Sequence, residues 1–115
     1  DAPIPVVRAF KAKFEQAYKY TSDHNGMKGY YGIYVLKAAI EKAGKLDRKA
    51  VAVAMKGLKV SADKYPGALM DTEFDSKGDL DRASFIVQVK NGKQEVVDMV
   101  PPLSGAKPAA APAKK

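Results

Sequence analysis

The sequence contains no cysteine, a single histidine and no long apolar run. Without thiols there are no disulfides, no thiolate nucleophile and no cysteine zinc site, whatever the compartment. The one imidazole, His24, has only Asp23 beside it in sequence, too small a donor set for zinc or another transition metal. No nucleophile, base and orienting acid stand at a recognisable spacing, so an enzyme is not expected. The apolar stretches are broken by Lys or Glu well short of the ~20 residues that a membrane helix needs. Asp1-Ala2-Pro3-Ile4-Pro5 lacks a basic region followed by an apolar run, so no signal peptide is read here and the start is expected to be a cut in a longer chain. Cofactors are not expected either: Met55, Met70 and Met99 are scattered. Asp75, Asp79 and Asp81 do not make a calcium loop, because Ser76, Lys77 and Leu80 interrupt the alternating oxygen ligands of an EF-hand.

What remains is the composition of one modest globular domain, 115 residues with 46% hydrophobic and 29% charged side chains. The net charge of +7 raises the possibility of a nucleic-acid partner, but its distribution argues otherwise. Residues 1–60 hold 12 Lys/Arg against 5 Asp/Glu, and residues 61–103 hold 5 against 8. The surplus is spread over helical faces and a tail, which a solvated basic surface explains more simply than a nucleic-acid site. The alternative is a stand-alone basic interaction module for nucleic acid or an anionic surface, whose affinity would fall steeply with salt.

Apolar residues at Val7, Phe10, Phe14 and Ala17/Tyr18 recur at helical spacing behind two prolines, which predicts an amphipathic helix over about 5–20. Thr21 to Gly26 is rich in turn and capping residues. A second helix, about 26–43, runs to Gly44 with apolar groups on nearly every side, as in a helix sandwiched between other elements. Asp47 caps a third, about 47–57. From Val60 the pattern changes to short apolar runs between turn residues: Ser61 to Gly67 reads as loop, strands are expected at about 68–74, 84–90 and 94–99, and 75–79 as a turn. Asn91-Gly92 sets a tight hairpin, since both positions of a type I′ turn need positive φ. Residues 101–115, a Pro/Ala/Lys tail, are expected to be disordered. Tyr30, Tyr31 and Tyr34 could form an aromatic wall, but their helical spacing favours core packing over stacking on bases.

The ordered set of these stretches resembles the last third of type I periplasmic binding proteins, specifically the Leu/Ile/Val-binding group. Phe10 to Tyr20 looks like that group's Phe-x-x-x-Tyr helix, and Gly29-Tyr30 through Ala38-Ala39-Ile40-Glu41-Lys42-Ala43-Gly44 like its Gly-Tyr-Asp-Ala helix. Asp47 to Leu58 and Gly67 to Lys93, with Phe74-Asp75-Ser76-Lys77-Gly78-Asp79-Leu80 and the Asn91-Gly92 hairpin, are similar to the stretches that follow. Tyr31-Gly32 departs from the usual Asp-Ala, which puts any role of that Asp in doubt here. The resemblance implies an α/β fold class: a segment of a two-lobed type I periplasmic-binding-protein fold, three helices followed by strands and a C-terminal β-hairpin. It also implies the receptor of an ABC importer in the periplasm, with an amino acid or small organic acid as ligand. The implied partners are the missing N-terminal part of the same protein and the transporter's membrane subunits, with self-association of the isolated segment. His24 reads either as a polar loop residue at a helix entrance or, with Asn25, Met27 and Tyr30, as part of the ligand cleft that the resemblance implies.

Overall fold

A computed structural model describes residues 4–105, built in the order three helices, a small sheet and a long hairpin. Helix α1, Pro5–Tyr18, starts at a proline whose missing N–H costs nothing in the first turn, and stops where Lys19 turns left-handed at φ 61°. That ends it two residues before the expected Tyr20. Helix α2, His24–Ala43, begins earlier than the expected residue 26 because Asp23 is its N-cap, accepting the Gly26 amide at 2.8 Å. Gly44, at φ 69°, closes the other end. Asp47 caps α3, Arg48–Met55, through the Ala50 amide at 2.8 Å. This helix was expected to reach residue 57. It stops at 55 because Lys56 is extended and Gly57 has φ 62°, which swings the chain into strand β1, Lys59–Val60.

Strand β1 pairs antiparallel with β2, Thr72–Phe74, and β2 with β3, Leu80–Asp81, giving the order β1-β2-β3. The strand expected at 68–74 is shortened to these three residues. Pro66–Ala68 forms a 3₁₀ turn and Leu69 is left-handed at φ 66°, so neither can join a ladder. Between β2 and β3 the Asp75 carboxylate accepts the amides of Lys77, Gly78 and Asp79, each at 2.8 Å, and so fixes the turn. Strands β4, Ser84–Lys90, and β5, Lys93–Val100, form a separate antiparallel ribbon. Its register runs from Lys90↔Lys93 to Val87↔Val96, then shifts by one to Ile86↔Asp98, leaving Val97 in a bulge.

Two apolar clusters hold these parts together. One joins Val35, Ala38 and Ala39 of α2 to Leu58, Val60, Tyr65 and Ala68. The other joins Ile4, just before α1, and Val7 and Phe10 of α1 to Leu69, with Met27, Met70 and Phe85 packed around it. Tyr31 touches both. Burying each valine- or leucine-sized side chain contributes about 1.5–3 kcal/mol. Tyr65 adds a polar tie, its hydroxyl donating to Glu41 of α2. The outer sides are bare: Ile33 of α2 is 66% exposed and Val53 of α3 70%. Helix α2 is therefore covered on one face within these residues, whereas its composition predicts cover on several. Of the expected disordered stretch, residues 106–115 lie outside the described residues. Leu103 and Ser104 rest with their amides on the two oxygens of Asp81, each at 2.8 Å.

Candidate functional site

An open cleft of about 660 Å³ lies between α1, the segment leading into α2, and the inner face of the hairpin. Helical spacing turns Val7, Phe10 and Lys11 toward it, with Arg8 at its edge. Thr21, Ser22 and Asp23 form one end, followed by His24 and Met27 from the first turn of α2. Alternation along β4 sends Phe85 and Val87 to the same face, and the pairing Val87↔Val96 continues that apolar surface onto β5. Arg82 and Met70 occupy the side between sheet and hairpin.

The polar groups of the loop are largely committed to holding it. Thr21 Oγ1 donates to Glu15 at 2.8 Å and Ser22 Oγ to the Asp23 carbonyl at 3.0 Å. The Gly26 amide, ahead of Asn25 and the neighbouring His24, holds the Asp23 carboxyl below the usual carboxylate range. Arg82 sits with its guanidinium 4.8 Å over the ring of Tyr31. A second, smaller cavity of about 240 Å³ lies on the other side of Arg82, lined by Val60, Thr72 and Met99 and bordered by Asp81 and Ser104.

Of the four residues singled out from the sequence, His24 and Met27 line the cleft. Asn25 and Tyr30 do not. Asn25 directs its Nδ2 to Asp23 at 3.4 Å. Tyr30 packs its ring 4.9 Å from Phe10 and 5.2 Å from Tyr34, and the Tyr34 hydroxyl beside it pushes its phenol up. Sequence reasoning missed Arg82, the α1 cations and the hairpin face. Alternation in β4 could have nominated Phe85 and Val87, but nothing local ties residue 82 to α1. Among the described residues no group of three or more His, Asp or Glu side chains stands where it could hold a metal ion. Among the same residues no helix is long and apolar enough to cross a membrane.

These elements combine an apolar surface from the hairpin and α1 with a polar corner at the entrance to α2. The chain belongs to the periplasmic binding protein family, whose model matches residues 1–94. The family is one of non-enzymatic solute-binding receptors. No curated protein and no solved structure gives a match.

Proposed function

We propose that this chain is part of the substrate-binding receptor of an ABC importer in the periplasm. Its ligand would be a branched-chain or related amino acid or a small organic acid. The observation that carries the reading is the cleft itself: a hairpin face of Phe85, Val87 and Val96 opposite Phe10 and Met27, with charged groups of α1, the loop and residue 82 at its margins. A small ligand with an apolar body and a charged end fits a lining that is mainly apolar with a few charged groups. Binding would act by closing two lobes, since a ligand favours the closed form only through contacts that the open form lacks. In this reading the segment supplies only part of the surface that closes on the ligand. Ile33, Leu36 and Val53, exposed on the helices, take the cover of the N-terminal part of the same protein, and without it the segment self-associates. Importer membrane subunits dock on the assembled receptor.

Truncating the apolar wall tests this. In the full-length protein that carries this sequence, Val87→Ala and Met27→Ala each remove methyl or methylene cover from the ligand's body, expected to cost about 1–3 kcal/mol of binding. Calorimetry on the two variants reads the loss directly. Affinity unchanged in both would remove the cleft from the binding site.

A further inference from the structure

The smaller cavity, about 240 Å³, differs in chemistry from the cleft. The small sheet gives it Val60 and Thr72, 1% and 3% exposed, the hairpin gives Phe85 and Met99, and Ile4 and Met70 join them. Pro102 and Ser104 border it as a strap, because the Asp81 carboxylate accepts the Leu103 and Ser104 amides at 2.8 Å each. The polar side chains around it are engaged with the protein. Lys59 pairs with Glu73 at 2.9 Å, and Asp71 Oδ1 accepts the Ala62 amide at 2.8 Å. Ser61 Oγ accepts the Asp63 amide and Thr72 Oγ1 donates to the Met70 carbonyl, both at 3.2 Å. Arg82 lies 4.8 Å over the Tyr31 ring. Among the described residues no buried side-chain N or O lacks a partner. A guest there meets apolar walls, few hydrogen-bonding groups not already used, and a rim on which Lys59 and Arg82 stand against Asp71, Glu73 and Asp81.

We propose that this cavity is a second binding site, for a small neutral molecule with an apolar body about the size of one aromatic ring. About 150 Å³ between apolar walls suffices for a benzene-sized guest, which leaves no hydrogen bond behind when it leaves water. A carboxylate or an ammonium on the same ring sheds its water for a rim whose acids are already bonded and whose lysine is already paired. A carboxylate also faces three others. The proposal does not rest on the receptor reading, because Val60, Thr72 and Met99 line this cavity and not the cleft.

Toluene, benzoate and benzylamine, each titrated at neutral pH into methyl-labelled full-length protein and followed by NMR, test it. Toluene should bind saturably, with intermolecular NOEs to the methyls of Val60 and Met99 and none to those of Met27, Val87 and Val96, which line only the cleft. Benzoate and benzylamine should bind there at least ~10-fold more weakly. Asp81→Asn, which loosens the strap, should weaken toluene at least ~3-fold through lost preorganisation; unchanged affinity in that variant would remove residues 102–104 from the site. The NOE pattern is read on the wild-type protein and stands whatever the variant does. Toluene NOEs confined to Met27, Val87 and Val96 would overturn the proposal. So would benzoate or benzylamine bound at Val60 and Met99 as tightly as toluene, or no saturable binding up to the solubility limit of toluene. Each of these results leaves the receptor reading standing, since that reading is tested by ligands and variants of the cleft.

Discussion

Gly67 lies where the 3₁₀ turn passes the ring of Tyr34, and a Cβ there would fall within that ring. Neither group can retreat easily, because Ala68 and Tyr65 on one side and Val35 and Ala38 on the other belong to one buried cluster. Gly67→Ala should therefore destabilise the protein by about 1–3 kcal/mol, as overpacking does. Gly29 is the control: it is exposed within α2 with nothing near its missing Cβ, so Gly29→Ala should stabilise by roughly 0.5–1 kcal/mol through helix propensity. Equilibrium urea unfolding reads both, and equal effects would contradict the packing at Tyr34. At Asp81 the Ser104 amide, with the Leu103 amide behind it, holds the carboxyl below its usual range. A folded value below the ordinary ~3.9 means that the contact contributes fully above that pH and is lost as pH falls through the folded value. The amide resonances of Leu103 and Ser104 should move together on acidification below about pH 4, and Asp81→Asn should abolish that shared step. Resonances that stay fixed would show that the carboxylate does not hold residues 103–104.

Among the elements, the hairpin was the most legible. Asn91 and Gly92 have φ of 49° and 73°, so each pays or avoids the cost of a left-handed backbone according to its side chain. Gly92→Ala should cost about 1 kcal/mol and raise hydrogen exchange across β4 and β5 while leaving α2 protected. Loss of protection in α2 as well would mean that the ribbon and the helices open as one unit. The caps were readable too, since Asp47 precedes an apolar-periodic run. The small sheet was not. A strand of two residues such as Lys59–Val60 carries no alternation, and its partner, Thr72–Glu73, lies beyond a 3₁₀ turn and a left-handed leucine that no local signal marks. The exposed Lys59–Glu73 ion pair, 2.9 Å apart, records the register without having predicted it.

For the molecule as a whole, the switch from helical to alternating pattern near Val60 corresponds to the passage from three helices to antiparallel strands. Of the cleft, His24 and Met27 were nominated from the sequence, through the resemblance of the loop entering α2 rather than through periodicity. Arg82 and the hairpin face reach α1 only through the return of a distant part of the chain, and periodicity carries no information about such closures. The all-round apolar character of α2 now has a physical consequence, with Val35, Ala38 and Ala39 buried on one side and Ile33 and Leu36 open on the other. The proposal under test is that this open side and the cleft belong to a receptor completed by further chain. The most direct test is a parallel calorimetric titration of the full-length protein and of the 115-residue segment with a panel of amino acids and small carboxylates. The account predicts clear saturable binding by the full-length protein and affinity at least ~100-fold weaker in the segment, because contacts and preorganisation from the other lobe are missing. Equal, submicromolar affinity in a monomeric segment would contradict it.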